Sequence, residues 1–314
     1  MTLFMRSFEA VAALLGIGIL GFWLISRRLL PVQALQVLSK LALDVALPCL
    51  VFERIVSTFR PADHPGWWLM PLSWLALTVG LALFALVSLR ISRPQSRREF
   101  AMALFYQNAT FVPLVIMTEM AGIDSPMVLR LFFFTIFFSA FLFGTYGLFF
   151  KGAAAQTEMH KVLHPVLFVT LAAMLLRLTN LQGLVPGFLL RALAMVGQMT
   201  IPLLMLMLGG SIFLNLQQGG RLHLVEVAKF AALKNLVLPA LALAVLAWLR
   251  PPPEVSFIVF LQCSVPPVTA APVLVQRAGG DSAIVSQFLI GSFALSLLSI
   301  PAAMACFQLV FPLP

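Results

Sequence analysis

Six long stretches without a charged residue constrain this chain more than any other feature of its sequence. They cover residues 67–89, 100–118, 131–150, 192–220, 255–276 and 282–314. Each has about the 20 residues that an α-helix needs to cross a lipid bilayer. Charged residues make up 10% of the chain and hydrophobic residues 61%, which leaves too little charge to cover the surface of a soluble domain. The sequence therefore predicts an all-α membrane protein with many spans.

The apolar runs and the charged or proline-containing segments between them predict ten transmembrane helices. These cover residues 8–26, 35–57, 67–89, 99–121, 125–150, 163–181, 189–214, 224–249, 255–277 and 281–311. We interpret the first as a retained helix and not a signal peptide, because the motif SRRLLP that follows it offers no small-residue cleavage site.

Basic residues are divided unevenly between the two sets of alternate loops. The loops on one side hold ten Lys and Arg residues, and those on the other side hold six. Because the richer side of a membrane protein faces the cytoplasm, we expect a multi-pass protein of the cytoplasmic (inner) membrane with both termini outside. The net charge of +9 forms no basic stripe, so nucleic acid is not an expected partner.

The cysteines and the glycines argue against cofactor sites. Cys49, Cys263 and Cys306 lie far apart in apolar segments, which supports neither a disulfide framework nor a metal site. No glycine-rich phosphate loop is present, so ATP-driven pumping is unsupported. We expect no cofactor.

Two segments about half a chain apart resemble each other and indicate an internal repeat. The matched positions are Glu99 with Glu254, Gln107 with Gln262, Asp124-Ser125 with Asp281-Ser282, and Pro48 with Pro202. Each half holds five predicted helices, and this odd number requires opposite orientations in the membrane. The sequence therefore predicts two inverted five-helix repeats, residues 1–150 and 163–314, joined by a short cytoplasmic connector at 151–162.

Both matched segments contain a polar, proline-containing break in the middle of a span. The breaks lie at residues 108–113 of the fourth helix and 263–267 of the ninth. Irregular backbone at that depth is tolerated only where protein or a water-filled cavity satisfies it. Half-helix N-termini at such breaks carry partial positive charge. We therefore expect helices four and nine to cross near the midplane and to form a binding site.

Three motifs identify a resemblance to a known family. They are YQNATFVPLVI from Tyr106, KNLVLPALAL from Lys234 and SVPPVTAAPVLVQRAGGDSAIVS from Ser264. The chain resembles the auxin efflux carrier family along essentially its whole length, and the absence of a long central loop fits the bacterial permeases of malonate-type organic acids. The resemblance implies ten helices in two inverted repeats and a cavity between a scaffold and a transport bundle. It also implies transport of small organic anions without a nucleotide cofactor.

The resemblance also implies roles for individual residues. The family's carboxylate-binding asparagine falls on Asn108, and the crossover proline of that helix falls on Pro113. In the ninth helix the proline falls on Pro266 or Pro267, but the asparagine that follows it in the family is missing, and Thr269 is the nearest polar residue. We expect this site to offer fewer amide donors on that side.

Other polar residues near the breaks complete the predicted substrate site. They are Gln107, Thr110, Gln198, Gln262, Cys263 and Ser264. For Gln107 and Gln262, capping of backbone carbonyls freed by the breaks is the alternative role.

Two ionisable residues deep in predicted helices are candidates for ion coupling. Asp44 lies about nine residues into the second helix, where a proton-coupling role and an intrahelical pair with Lys40 are equally good interpretations. Lys234 lies about ten residues into the eighth helix. It is a candidate counter-charge to Asp44 or to an anionic substrate, although we expect its side chain to snorkel to the interface.

The favoured function is a secondary active transporter of a small organic anion such as a carboxylate, with proton coupling as an option. The alternative is a sodium-coupled carrier of the bile-acid transporter type, with ligands from oxygen-bearing side chains near the breaks. An intramembrane enzyme is not favoured, because no span carries paired Asp residues or a metal-binding His pair. The expected partners are the anion and membrane lipid, and a homodimer is compatible with the sequence.

Overall fold

The computed structural model describes residues 3–62, 66–150, 165–217 and 222–311, and within these ranges the regular structure is helical. In chain order the helices are α1 (Leu3–Ser26), α2 (Ala34–Thr58), α3 (Leu69–Ser88), α4a (Arg97–Phe105), α4b (Phe111–Ala121), α5 (Pro126–Phe149), α6 (Pro165–Leu178), α7a (Gly187–Gly197), α7b (Thr200–Gln217), α8 (Leu224–Leu249), α9a (Pro253–Ser264), α9b (Ala271–Arg277) and α10 (Ser282–Val310). The predicted connector at 151–162 lies outside the described residues.

Six helical runs are long and apolar enough to cross a membrane. They are Ala34–Thr58, Leu69–Ser88, Pro126–Phe149, Gly187–Leu214, Leu224–Leu249 and Ser282–Val310. Shorter apolar helices cover Gly16–Ser26, Phe111–Ala121, Pro165–Leu178 and Pro253–Ser264. Large apolar side chains such as Leu83, Val87 and Trp248 are more than half exposed on the outside of the bundle, which suits contact with lipid and not with water.

Two helices widen where proline removes a backbone donor. In α2 the segment Leu41–Ala46 is a π-helix that precedes Pro48, and in α8 the π-helical segment Leu233–Val237 precedes Pro239. A proline cannot donate to the carbonyl four residues earlier, and π-segments are frequent at functional sites. The two segments contain Asp44 and Lys234, the two deep ionisable candidates.

The helices pack in two groups. The first group contains α1, α2, α6 and α7, with α1 along α7b and α2 against α6 and α7a. The second contains α3, α4, α5, α8, α9 and α10, in which α3 packs on α4a and α5, and α10 packs on α8 and α9. The groups meet where α1 contacts α10 and α4b and where α2 contacts α5.

Glycines bring the backbones of the first group into direct contact. A Cβ atom added to Gly209 of α7b would overlap the carbonyl of Gly18 in α1, and one added to Gly21 would overlap the carbonyl of Leu206. A Cβ atom on Gly197 would lie 2.8 Å from the Cα of Leu50 in α2. Small residues at such crossings allow close packing inside a membrane, where dispersion contacts hold helices together.

We expect Gly209→Ala to destabilise the protein, because the added methyl group has no space between α7b and the backbone of α1. Overpacking of this kind costs about 1–3 kcal/mol. The measurement is the melting temperature of the purified protein in detergent. Gly80→Ala in α3 is the matched control, since nothing lies within 4 Å of the position of its added Cβ atom. Equal melting temperatures for the two variants would contradict the close approach.

Candidate functional site

The breaks of α4 and α9 meet and pair with each other. The backbone N–H of Asn108 donates to the Pro266 carbonyl at 2.9 Å, and the N–H of Val268 donates to the Tyr106 carbonyl at 2.9 Å. Gln107 and Pro267 form an antiparallel bridge at the same place. Each interrupted helix therefore supplies hydrogen-bond partners that the other one lacks.

Local sequence explains why α9 stops where it does. Val265 is extended, with φ −84° and ψ 153°, because a residue that precedes proline is disfavoured in the α-helical region. Pro266 and Pro267 then carry no N–H for a continuing helix. The chain resumes a helix at Ala271, with Pro272 in the first turn, where a missing donor costs nothing.

The role expected for Pro113 needs a correction. Pro113 does not lie in the extended break: it is buried in the first turn of α4b, which begins at Phe111. A proline is tolerated there because the N–H groups of the first turn have no partner within the helix. The carbonyl of Ala109, just before this turn, accepts a hydrogen bond of 2.7 Å from the side-chain nitrogen Nε2 of Gln262. The break in α4 thus offers an acceptor that a residue of the other broken helix uses.

Asn108 combines a structural role with an unused donor. Its Oδ1 accepts hydrogen bonds from the backbone N–H groups of Phe111 at 3.2 Å and Val112 at 3.4 Å, which caps the N-terminus of α4b. Its Nδ2 is buried and has no hydrogen-bond partner among the described residues. The cap fixes the amide so that its N–H₂ group is free to donate to a ligand.

Lys234 lies inside the protein beside the crossing. Its side chain is fully buried, and its Nζ has no hydrogen-bond partner in the described part of the chain. The side chain of Cys263, the next-to-last residue of α9a, lies near this ammonium group. The expectation that Lys234 snorkels to the interface is therefore wrong. The side chain stays inside because α8 faces α9a and α10 at this level.

Asn235, which was not a predicted site residue, fixes this part of α8 to α10. Its Nδ2 donates to the Ser292 carbonyl at 3.0 Å and to the Ser299 hydroxyl at 3.2 Å, and its Oδ1 accepts from the Ser292 hydroxyl at 2.6 Å. The available signal was an amide next to a lysine in an apolar helix. This network fixes the backbone from which the Lys234 side chain extends.

Asp44 is not the counter-charge of Lys234. Asp44 and Lys40 are both exposed on α2. Lys234, in contrast, is fully buried and lies near Cys263 of α9a. The pairing of Asp44 with Lys234 that the sequence suggested is therefore not formed. The exposed face of α2 instead places Asp44 near Lys40, one helical turn away.

The other predicted site residues differ in how close they lie to the crossing. Gln107 and Gln262 are buried in it, and the Oε1 atom of Gln262 has no partner among the described residues. The hydroxyl of Ser264 donates to the Phe260 carbonyl of its own helix at 2.9 Å. Thr269 is half-buried within the α9 break, while Gln198 is exposed at the turn between α7a and α7b. The structure does not bring Gln198 into the crossing.

Two cavities flank the α4 break. One small cavity lies between α3, α4a and α5 and is lined in part by Tyr106 and Gln107. The other small cavity lies where the two helix groups meet. Its lining residues are Leu47, Val51, Thr110, Phe132, Thr135, Ser139 and Val166. This second cavity therefore has hydroxyl groups on its α4 and α5 side and apolar groups on its α2 and α6 side.

The first half of the chain matches a known family. The model of a family described as membrane transport protein matches residues 6–161, a range that contains most of α1, all of α2 to α5 and the whole break of α4. No curated protein matches the chain. With its several apolar helices, the chain is a multi-pass membrane protein. It belongs to the membrane transport protein family, which is the auxin efflux carrier family that the motifs resemble.

Proposed function

We propose that this protein is a secondary active transporter that moves a small organic anion, such as a carboxylate, across the cytoplasmic membrane by alternating access. The observation that carries the proposal is a pair of buried donors without acceptors near the crossing, the Nδ2 of Asn108 and the Nζ of Lys234. Leaving such groups unpaired is costly in a protein interior. A bound carboxylate would supply the acceptors.

The two helix groups support the alternating-access part of the proposal. The second small cavity lies between them and includes Thr110 from the α4 break. A movement of one group past the other would open this space toward one side of the membrane at a time. The accompanying architecture is ten transmembrane helices in two inverted repeats, residues 1–150 and 163–314, with a connector at 151–162 and both termini outside.

The charge beside the crossing favours an anion over sodium. A sodium site needs several converging oxygen atoms and benefits from a carboxylate. Here the deep charge beside the α9 break belongs to the Lys234 ammonium, and the hydroxyl of Ser264 is already used within α9a. An ammonium attracts a carboxylate and repels a metal cation. We therefore retain the organic-anion carrier and not the sodium-coupled alternative.

Coupling to protons is proposed to involve Lys234 and Asp44. The Lys234 ammonium carries a proton that it would exchange during such a cycle, and Asp44 lies on an exposed face of α2 at mid-helix depth together with Lys40. Ionisable groups at such depth are rare and mark ion pathways. A second copy of the chain packed on this face would shield it from lipid, and a homodimer is therefore part of the proposal.

Replacement of Asn108 by Asp tests the donor. Asn108→Asp keeps the oxygen that caps α4b but replaces the N–H₂ donor with a negatively charged acceptor. We expect a nearly unchanged melting temperature and at least about a tenfold loss of anion affinity, because a hydrogen bond to a charged group contributes about 1.5–3 kcal/mol. Binding is measured by thermal shift with dicarboxylates, keto acids and indole acids. Asn180→Asp, in an exposed loop, is the control, and equal affinities for the two variants would rule out the assigned donor.

Replacement of Lys234 by Met separates function from stability. Met is similar in length and carries no charge, so Lys234→Met removes an ammonium without a partner from the interior. We expect a melting temperature that rises, with a gain of about 1–4 kcal/mol, together with loss of anion binding. Lys229→Met is the matched control on the same helix. It breaks the 2.9 Å ion pair with the buried Glu226 and should lower stability. Retained anion binding by Lys234→Met would contradict the counter-charge role.

Replacement of Asp44 by Asn tests its coupling role. We expect Asp44→Asn to fold normally, since the side chain is exposed, and to lose proton-driven uptake in proteoliposomes. The measurement is uptake of the radiolabelled anion with and without an imposed pH gradient. Lys40→Gln, on the same face of α2, removes the neighbouring ammonium group and keeps the Asp44 carboxylate. Loss of proton-driven uptake in this variant as well would show that the Asp44–Lys40 pair is required, and not the carboxylate alone. If uptake by Asp44→Asn keeps its full pH dependence, Asp44 has no part in coupling.

A further inference from the structure

An ion pair connects the two helix groups at one end of the molecule. The guanidinium group of Arg54, near the end of α2, pairs with the carboxylate of Asp124 in the loop between α4b and α5. The Arg54 side chain is only 13% exposed, and its Nε lies 3.3 Å from the carboxylate of the neighbouring Glu53. Arg54 belongs to the first group and Asp124 to the second, so the pair lies across the boundary along which the groups would move.

Other ion pairs join helices of the same group. Arg130 of α5 pairs with Glu254 of α9a at 3.5 Å, and both helices belong to the second group. Glu226 of α8 is bound by Lys229 at 2.9 Å and by Arg93 at 3.4 Å, again within the second group. These contacts would survive a movement of one group against the other, whereas the Arg54–Asp124 pair would not.

The loop before α10 corresponds to the Asp124 loop in the second half of the chain, but its aspartate caps a helix. Asp281 caps the N-terminus of α10, where its Oδ1 accepts from the backbone N–H groups of Ala283 and Ile284. In the first half Ser125 caps α5 by accepting from the N–H of Met127. Asp124 is thereby left free to reach Arg54. The two loops share the Asp-Ser sequence, but only the first-half loop directs its carboxylate to the other helix group.

The ion pair lies beyond one end of the cavity between the helix groups. Leu47 and Val51 form part of the cavity wall on α2, and Arg54 follows them at positions i+7 and i+3. Residues with these spacings share one face of a helix. On the opposite side Asp124 immediately precedes α5, which supplies Phe132, Thr135 and Ser139 to the wall. Each partner of the ion pair thus lies one or two helical turns beyond residues of the cavity wall, at the same end of the cavity.

We propose that the Arg54–Asp124 ion pair is a gate that closes the cavity between the helix groups at this end of the molecule. The charge distribution in the loops predicts that this end faces outward. The Asp124 side chain is 81% exposed, and ion pairs with an exposed partner are weak and sensitive to salt. The gate can therefore open in every transport cycle. Glu53 remains beside Arg54 when Asp124 leaves, so the buried guanidinium keeps a counter-charge in the open state.

Accessibility of the cavity tests this gate without a substrate. Ser139→Cys places a thiol on the half-buried cavity wall, in a background in which Cys49 and Cys306 are replaced by Ala and the buried Cys263 is kept. Maleimide labelling of the purified protein is followed by mass spectrometry. We expect Asp124→Asn to accelerate labelling about two- to fivefold, the range that corresponds to loss of a weak ion pair. High salt screens the ion pair, so it should accelerate labelling of the protein that retains Asp124 but not of Asp124→Asn.

Two further variants determine whether the gate is specific. Arg54→Gln should accelerate labelling as Asp124→Asn does. Glu254→Gln, which breaks a pair within one group, should leave the rate unchanged. Asp124→Asn keeps Arg54 beside Glu53, so its result stands even if Arg54→Gln fails to fold. An unchanged or slower rate in Asp124→Asn, or equal acceleration by Glu254→Gln, overturns the gate. Because no anion is used, the outcome is independent of the proposed transport activity.

Discussion

The structure depends on one constraint, namely that a helix interrupted inside a membrane must find hydrogen-bond partners for its exposed backbone within the protein. Here each broken helix satisfies the other. Asn108 and Val268 donate backbone N–H groups across the crossing to Pro266 and Tyr106, and Gln262 donates to the Ala109 carbonyl in the α4 break. Pro266 and Pro267 end α9a because they offer no N–H for a continuing helix, and the Pro266 carbonyl accepts from the opposite broken helix.

Once the backbone is satisfied, the side chains around the crossing are available for chemistry. The oxygen of Asn108 is fixed by the first turn of α4b, which orients its amide nitrogen. Lys234 extends from a π-helical segment that Asn235 anchors to α10. Both groups are donors, and both are buried without acceptors among the described residues. Donors without acceptors at a preorganised position favour a negatively charged ligand. This arrangement links the proline pattern of the sequence to the proposed transport of an anion.

Much of the fold follows from local patterns that the sequence displays directly. Apolar runs and their flanking charges placed helices within a few residues of where they occur, and the matched polar breaks correctly indicated that α4 and α9 are interrupted. Side-chain directions were harder to predict. Whether Lys234 turns inward depends on the packing of α8 against α9a and α10, and the Arg54–Asp124 pair joins residues 70 positions apart. Pro113 was misjudged because a first-turn proline and a helix-breaking proline have the same sequence signature.

The two matched segments share a backbone pattern but differ in the chemistry of equivalent positions. Asn108 corresponds to Cys263, and the first presents an amide donor while the second lies beside an ammonium. Asp124 corresponds to Asp281, and the first reaches the other helix group while the second caps its own helix. The first-half loop thus carries an ion pair across the two helix groups that the second-half loop does not form through Asp281. In the proposed carrier, the two ends of the molecule are therefore held closed by different contacts.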